Sequence, residues 1–275
     1  MLGQSTLPAD ARILILADIH GNWPALEAVA AAEPDFTHLI FLGDAVNYGP
    51  DPAQCIGWLR QRQDFGHFIK GNHDEALALG RSPRCPLLES APDESPVSSP
   101  LATLDQDERH FLLSMPTSLA LHIGDQCWRA YHGLPSDPLC GYLLADADTH
   151  LWDNEIKYAD SPDILLVAHT HRQFSRCHDS TLVINPGSVG RPKDGDPRAA
   201  YAIYENHQIH LRRVEYDIAE TQRRLCRILS CDQATELGNF LRAGQREPVP
   251  HHYNPENQIH VSPSAAGTAY DSVQE

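Results

Sequence analysis

Five short stretches of this chain each run from apolar residues directly into a side chain that can bind a metal. These stretches are residues 13–20, 39–44, 68–74, 129–132 and 164–171. A single buried strand that ends in Asp, Asn or His is common, but five of them in order describe one site. In open α/β sheets, ligands gather at the carboxyl ends of the strands. The series therefore predicts oxygen and nitrogen ligands at one sheet edge, enough for two metal ions that share a bridging residue.

The pattern around these stretches predicts an α/β fold. Strands are predicted at residues 12–17, 37–42 and 65–70, with helices between them. Asn22 is suited to cap the first helix and Pro24 to its first turn, and residues 51–60 form the second helix. Strands dominate from residue 119, and residues 217–243 are predicted to be helical with a break near Cys231. This alternation is typical of a sheet covered by helices.

The five stretches also limit how the chain divides into domains. They span residues 18–171, so no domain boundary is expected there, and residues 1–243 are predicted to form one domain. Residues 81–100 are rich in Pro and Ser and predict a loop insertion. Residues 244–275 are polar and without periodicity, which predicts a C-terminal tail.

Composition narrows the class of partner. The chain has 275 residues and a formal net charge of −16, which argues against general nucleic-acid binding because duplexes are bound chiefly through Lys and Arg. A small phosphorylated substrate is compatible with this charge, since bound cations can reverse the local field. The seven cysteines are scattered and contain no Cys-x-x-Cys pair, which favours reduced thiols and a cytoplasmic protein. Neither a membrane-spanning run nor a secretory signal is expected, and the oligomeric state is left open.

Two His-containing pairs are the sharpest part of the pattern. Asp18 and His20 are two residues apart, as are His169 and His171. In a strand or just past its end, such residues point the same way, so each pair could reach one metal. Alone, each residue is better explained as a helix cap, a turn or a surface side chain. The ordered set is not explained in that way.

The remaining candidates complete the set. Asp44 follows Gly43, whose missing side chain allows a close approach, and Asn72 offers a neutral oxygen that adds no negative charge. His73 precedes Asp74, and a carboxylate partner can fix the tautomer of an imidazole and raise its pKa. His132 ends a predicted strand.

The complete set resembles a known family. The motifs are Asp18-x-His20, Gly43-Asp44, Gly71-Asn72-His73-Asp74, His132 and His169-x-His171, which are similar to those of the calcineurin-like metallophosphoesterases. The block Asn185-Pro186-Gly187-Ser188 and the segment Asp18-Ile19-His20-Gly21-Asn22 resemble the small bacterial and archaeal phosphodiesterase branch. The resemblance covers roughly residues 12–214.

The resemblance implies a fold and a set of ligands. The fold would be a four-layer α/β/β/α sandwich of two mixed sheets flanked by helices. Two divalent ions would be bound, the first by Asp18, His20, Asp44 and His171. Asp44 would bridge to the second ion, which Asn72, His132 and His169 would complete. His73 would face the substrate oxygens, beside Asn72.

The resemblance also implies a reaction. Hydroxide held between the ions would attack the phosphorus of a phosphate ester, because metal-bound water can have a pKa of about 7. His73, oriented by Asp74, would stabilise the transition state or protonate the leaving group, and general acid catalysis is typically worth ~10²–10⁴-fold. The mixed oxygen and imidazole ligands suit Mn²⁺, our first choice, and also Fe, Ni²⁺, Co²⁺ or Zn²⁺.

Several positions depart from the related protein phosphatases. Those enzymes have an Asp-Arg pair where this chain has Asn47 and Tyr48, and an Arg where this chain has Lys70. A phosphodiesterase is therefore favoured. The alternatives are a dinucleoside polyphosphate hydrolase, a broad phosphomonoesterase or protein phosphatase, and a metal-binding interaction module without activity. Three basic residues follow motif positions and are candidates for substrate contact, although solvated loop charge is the favoured interpretation: Arg172, Arg191 and Lys193.

Overall fold

Two β-sheets form the centre of the molecule. The computed structural model describes residues 5–81, 83 and 104–244. The strands are β1 (Ser5–Leu7), β2 (Ile13–Leu16), β3 (His38–Phe41), β4 (Gly66–Phe68), β5 (Ser118–Ile123), β6 (Gln126–Tyr131), β7 (Ile164–Leu166), β8 (Phe174–His178), β9 (Thr181–Asn185), β10 (Ala199–Glu205) and β11 (Gln208–Val214). The helices are α1 (Trp23–Ala32), α2 (Pro52–Arg60), α3 (Asn72–Ala78), α4 (Gln106–Ser114), α5 (Thr149–Tyr158), α6 (Ile218–Leu225) and α7 (Cys231–Ala243).

Both sheets are mixed. The five-stranded sheet has the order β11-β10-β2-β3-β4, in which β2, β3 and β4 run parallel and β10 is antiparallel to β2. The six-stranded sheet has the order β1-β5-β6-β7-β9-β8, in which β6, β7 and β9 run parallel. Each sheet therefore has an edge at which the carboxyl ends of parallel strands meet.

The sheets and helices stack in layers because strands such as β2 are apolar on both faces. Alternate residues of β2 point in opposite directions, and all four are fully buried. Ile13 and Ile15 pack in the core between the two sheets, together with Trp128 of β6. Leu14 and Leu16 instead pack under α1 and α2. The outer face of the other sheet is covered by α5 through Trp152. The predicted four-layer α/β/β/α sandwich is confirmed.

Helix α1 begins as its sequence predicts. The side chain of Asn22 accepts a hydrogen bond from the backbone N–H of Ala25, and Pro24 lies in the first turn. The same side chain donates to the carbonyl of Gly190 at 2.9 Å and accepts from the hydroxyl of Thr221 at 3.0 Å. Asn22 therefore joins three separate parts of the chain beside the strand ends.

The helix and strand boundaries agree with the predicted elements in some places and differ in others. The break predicted near Cys231 is present, since α6 ends at Leu225 and α7 begins at Cys231 after the Ser230 cap. Strands β1 and β8 and helix α3 were not predicted. Most of the predicted 81–100 loop and all but Gly244 of the predicted 244–275 tail lie outside the described residues. None of the helices in the described ranges is long and apolar enough to cross a membrane.

Candidate metal site

The predicted ligands all leave the strands at the same edge of the sandwich. Asp18 and His20 follow β2, Asp44 follows β3, and Asn72 and His73 begin α3 just beyond β4. His132 follows β6 of the other sheet, and His169 and His171 follow β7. Both sheets therefore supply ligands to this edge.

The structure groups six of these side chains into two clusters. The ligand atoms of Asp18, His20 and His171 all lie within 4.8 Å of one another, and so do those of Asp44, His132 and His169. In the first cluster, the Nε2 atoms of His20 and His171 are 3.1 Å apart. The Oδ1 atom of Asp18 lies 3.6 Å from the Nε2 atom of His171. Separations of this size leave room for one ion at the centre of each cluster.

Asp44 lies between the two clusters. Its Oδ2 atom is 3.3 Å from the Nε2 atom of His132 and 3.8 Å from the Nε2 atom of His20. Its Oδ1 atom accepts a hydrogen bond from the backbone N–H of His73 at 2.9 Å, which fixes the carboxylate plane. The Oδ1 atom of Asn72 lies 3.1 Å from the Nε2 atom of His132. Asp44 is therefore placed to be shared, with Asn72 beside the second cluster.

Backbone carbonyls set the tautomers of three histidines. The Nδ1 atoms of His20, His132 and His171 lie 2.9, 2.8 and 2.7 Å from the carbonyl oxygens of Val46, Leu42 and Arg191, respectively. A carbonyl only accepts, so each neutral ring carries its proton on Nδ1 and directs the Nε2 lone pair into a cluster. This is the arrangement that a metal-binding imidazole requires.

The backbone at the ligands is in the left-handed region. Values of φ between 50° and 63° occur at five ligand positions: Asp18, His20, Asp44, His169 and His171. Such a conformation costs on the order of 1–2 kcal/mol for a residue with a Cβ atom. Asp18 and His20 therefore converge on the first cluster through a strained loop and not by strand alternation. The expectation from strand alternation that His169 and His171 reach one metal is wrong, because the two side chains lie in different clusters. Non-glycine residues of this kind cluster at functional sites.

Close packing of the loops leaves no space for a side chain at Gly71. A Cβ atom there would lie 2.0 Å from the Oδ1 atom of Asp44. The neighbouring Gly43 has a φ of +97° and would meet the backbone of Gly71. Both glycines of the sequence motifs are thus required by the approach of the β3 and β4 ends.

Buried oxygen atoms of the carboxylates lack well-aligned hydrogen bonds. Asp18 and Asp44 are fully buried. Within the described part of the chain, no well-aligned hydrogen bond reaches either carboxylate oxygen of Asp18 or the Oδ2 atom of Asp44, although that Oδ2 atom lies 3.3 Å from the Nε2 atom of His132. Buried anionic oxygens without donors are strongly disfavoured unless a cation is bound. These atoms fit divalent metal ions at the two clusters.

The titration behaviour of the site indicates the same shortage of positive charge. Burial raises the pKa of Asp18 to about 8, an effect that the charge of His132 opposes and the charge of Asp44 increases. Burial also opposes protonation of His132, but Asp44 and Asp18 raise its pKa to about 10. In the metal-free site, protons thus take the place of cations.

His73 contacts Asn47, a partner that was not predicted for it. Its Nδ1 atom lies 2.8 Å from the amide nitrogen of Asn47, which donates to it, so the proton of the neutral ring is on Nε2. Burial lowers the pKa of His73 to about 4. The prediction that Asp74 orients His73 is wrong, because the Asp74 carboxylate accepts from the backbone N–H groups of Asp44, Ala45 and Gly71. Asp74 positions the Asp44 loop instead.

The three basic residues behave differently from one another. Arg191 is only 8% exposed, so the prediction of solvated charge is wrong for it. Its guanidinium lies between the rings of Tyr48 and Phe240. Lys193 is half-buried. Its charge opposes the rise that burial produces in the pKa of Asp18 and adds to the fall that burial produces in the pKa of His171. Arg172 is half-buried directly after His171. Phe240 lies on a helix remote in sequence from all motifs, so no sequence signal indicated it.

All of the predicted ligands lie within the part of the chain that is similar to known proteins. Residues 12–208 match the sequence profile of the Calcineurin-like phosphoesterase superfamily domain. A metallophosphoesterase structure from Sphaerobacter thermophilus is 31% identical, covers 85% of this chain and 99% of that chain, and has a TM-score of 0.68. Protein MJ0912 of Methanocaldococcus jannaschii is 28% identical over 78% of this chain and 91% of its own length. Phosphodiesterase YfcE of Escherichia coli is 25% identical over 71% of this chain and 88% of its own length.

Proposed function

This chain belongs to the calcineurin-like phosphoesterase superfamily, and from that premise we propose that it hydrolyses phosphodiesters with two bound divalent metal ions. The chain is a metal-dependent phosphoesterase. The observation that supports two ions is the pair of ligand clusters with the Asp44 Oδ2 atom between them. Three buried carboxylate oxygens that receive no well-aligned hydrogen bond from the described residues add to this support.

The residues divide between the two ions. Asp18, His20 and His171 would hold the first, with Asp44 shared, and Asn72, His132 and His169 would complete the second. When bound, the ions would acidify water and offset charge on the phosphate oxygens. In the neutral rings of His20, His132 and His171, the carbonyl partners hold the proton on Nδ1 and leave the three Nε2 atoms available for this role. Mn²⁺ is the ion we favour, with Fe, Ni²⁺, Co²⁺ and Zn²⁺ as alternatives.

His73 would act on the substrate. Asn47 donates to its Nδ1 atom, which leaves an Nε2–H group as donor. Its low pKa keeps the ring neutral near pH 7. We therefore assign to His73 a hydrogen bond to the phosphoryl or leaving oxygen as negative charge develops there, rather than delivery of a stored proton.

Preference for diesters is supported by two observations. One relative, 25% identical, is named a phosphodiesterase. The chain also has Asn47 and Tyr48 where related protein phosphatases carry Asp and Arg. The side-chain amide of Asn47 is hydrogen-bonded to the His73 ring. A dinucleoside polyphosphate hydrolase and a broad phosphomonoesterase or protein phosphatase are the alternatives within enzymes. A small phosphorylated substrate, a cytoplasmic location and the absence of general nucleic-acid or membrane partners remain predictions.

Hydrolysis of two nitrophenyl esters tests the proposal. Purified metal-free protein would be loaded with each candidate ion, and turnover of bis(nitrophenyl) phosphate would be compared with that of nitrophenyl phosphate. We expect turnover that requires metal, saturates at two ions per chain and has a higher kcat/KM for the diester. Saturation at one ion would contradict the dinuclear site. Turnover of neither ester with any ion would favour the metal-binding module.

A further inference from the structure

Four histidines at the metal site differ in the group that faces their Nδ1 atoms. In His20, His132 and His171 that group is a backbone carbonyl, which accepts a hydrogen bond. In His73 it is the side-chain amide nitrogen of Asn47, at 2.8 Å, which donates one. A neutral imidazole carries a single proton, so the proton lies on Nδ1 in the first three rings and on Nε2 in His73. The three rings with Nδ1–H belong to the ligand clusters, and the fourth does not.

The two tautomers suit different tasks beside a metal ion. An Nε2 lone pair can bind a cation, whereas an Nε2–H group cannot bind one and instead donates to an anionic oxygen. The His73 ring meets the His20 ring edge to face, with centroids 5.1 Å apart, so it lies beside the first cluster. With the opposite tautomer, His73 would offer a competing metal ligand in place of a donor to phosphate.

The other contacts of His73 hold its ring without selecting the tautomer. Its backbone N–H donates to the Oδ1 atom of Asp44 at 2.9 Å, and its ring packs against that of Tyr48 with centroids 5.1 Å apart. The neighbouring Asp74 carboxylate accepts from backbone N–H groups. Packing of this kind fixes the plane of the imidazole, but the location of its proton depends on hydrogen bonding. That hydrogen bond comes from Asn47.

Asn47 is held in a costly conformation for this contact. Its side chain is buried, its φ is 70°, and its Oδ1 atom has no hydrogen-bond partner among the described residues. Asn tolerates a left-handed backbone better than most residues with a Cβ atom, but both features are unfavourable. The hydrogen bond to His73 is the favourable contact that accompanies them. A strained, buried residue of this kind is an indication of function.

We propose that Asn47 is a positioning residue, which holds His73 in its Nε2–H tautomer and so makes it a donor to the substrate instead of a metal ligand. Asn47 acts through the imidazole and needs no contact with the substrate itself. This inference rests on the proposed phosphoesterase function and adds the residue that decides how His73 takes part in it.

The tautomer can be measured directly. The ¹⁵N NMR signals of labelled histidine side chains report which ring nitrogen carries the proton. Spectra would be recorded on the protein loaded with Zn²⁺, which is diamagnetic, at an alkaline pH where histidine rings are neutral. The signals of His73 are identified by their loss in His73→Gln.

Asn47→Asp keeps the shape of the side chain and removes its donor. We expect the His73 proton on Nε2 in the wild-type protein and on Nδ1 in Asn47→Asp, because a carboxylate can only accept. A proton on Nδ1 of the wild-type ring overturns the proposal, and so does an unchanged tautomer in Asn47→Asp.

Kinetics at the same pH test whether Asn47 acts through His73. Asn47→Asp should lower kcat for bis(nitrophenyl) phosphate on the order of 10²-fold and change KM less than about threefold, because the lost donor serves the transition state. In the His73→Gln background the same substitution should cost less than about threefold, since residues that act as a unit are not additive. Losses that multiply in the double variant overturn a role through His73.

Two further variants control for charge and for backbone conformation. Asn206→Asp changes an exposed Asn with a φ of 51° between β10 and β11, and it should leave kcat and the His73 tautomer unchanged. Asn47→Gly removes the donor without adding charge and tolerates the positive φ. It should lower kcat about three- to tenfold, and again not in the His73→Gln background. If Asn47→Asp melts well below the wild-type protein, Asn47→Gly is judged by the same comparison.

The outcomes separate this inference from the proposed function. If both nitrophenyl esters are hydrolysed but the tautomer is not the expected one, the proposed function stands and the inference fails. If no metal supports hydrolysis of either ester, the proposed function fails, and the role of His73 as a donor to the substrate fails with it.

Discussion

Asp18, His20, Asp44, His169 and His171 have backbone conformations that disfavour any residue with a Cβ atom. Hydrogen bonds between neighbouring loops keep them there. The N–H of Asp18 donates to the Gly43 carbonyl, and the N–H of His20 donates to the Asp44 carbonyl, both at 2.9 Å. Local strain is thus outweighed by pairing between the β2 and β3 loops. The proposed ligands are held in place by the fold itself.

Replacing His73 tests its proposed hydrogen bond to the substrate. His73→Gln keeps a donor but changes its position, and we expect kcat to fall about 10²-fold, since a hydrogen bond to the developing charge is misplaced. Because the ring is neutral near pH 7, the loss should be of similar size for alkyl and nitrophenyl diesters. Steady-state rates on both substrates measure it.

The opposite result would be informative for the same residue. A loss confined to alkyl esters, which need a proton on the leaving oxygen, would show that His73 is a general acid. Metal content measured on the same samples is the control, because His73 contributes its backbone N–H to Asp44 and its ring to neither cluster.

Among the elements, the loop after β9 stabilises the loop after β2. The N–H groups of Val189 and Gly190 donate to the carbonyls of Ala17 and Asp18 at 3.0 Å, and the Ser188 hydroxyl donates to the Asp18 carbonyl at 2.8 Å. The Asn-Pro-Gly-Ser motif therefore positions the loop that carries Asp18 and contributes none of the proposed ligands.

Gly190→Ala tests this contact. Its Cβ atom would lie 1.8 Å from the carbonyl oxygen of Ile19, between Asp18 and His20. We expect a loss of about 1–3 kcal/mol in the free energy of unfolding, together with weaker metal binding, because the ligand loop must move. Thermal unfolding with and without Mn²⁺ measures both.

A second glycine is the matched control. Gly57 is within α2 and has nothing within 4 Å of its Cβ position. Gly57→Ala should stabilise the protein by up to about 1 kcal/mol, since alanine favours helix, and leave metal binding unchanged. Equal effects of the two substitutions would rule out a specific role for the Gly190 contact.

The same elements show what the sequence could predict. The apolar strands that end in proposed ligands could be predicted from the sequence. A parallel strand that is buried on both faces requires a continuous apolar run, as in β2. Strand β8 (Phe174–His178) was not predicted, because it is a short edge strand with alternating polar residues. Left-handed φ values at Asp18 and His20 have no sequence signature outside glycine, so the convergence of these two side chains was predicted for the wrong reason.

Side-chain partners were the least predictable part of the site. Asp74 adjoins His73 in sequence, yet at the start of α3 its carboxylate bonds to backbone N–H groups and not to the imidazole. Asn47, 26 positions before His73, contacts it because two loops meet. Contacts of this kind depend on tertiary packing.

For the molecule as a whole, the number of bound protons and the affinity for metal are linked. At pH 7 the pKa values of about 8 for Asp18 and about 10 for His132 keep both protonated in the metal-free protein. In their proposed roles as metal ligands, both must lose these protons, so we expect metal binding to release protons. Apparent affinity should therefore rise with pH, by about tenfold per pH unit for each proton released.

Calorimetry in buffers of different ionisation enthalpy counts those protons. We expect between one and two at pH 7 and fewer above pH 8, where Asp18 has already lost its proton. His178→Ala serves as the control because His178, Asp153 and Asp179 form a further cluster that could take up metal. An affinity independent of pH, with no proton released, would contradict the proposed ligand roles.

Each cluster takes its residues from both sheets, since Asp18 and His20 follow β2 while His171 follows β7, and Asp44 follows β3 while His132 follows β6. A bound ion would therefore crosslink the two halves of the sandwich, as a disulfide does in a secreted protein. Ligands that bind only the folded state stabilise it by mass action. In a cell deprived of the metal, the chain would thus lose resistance to proteolysis as well as activity, and metal supply would set how long each molecule survives.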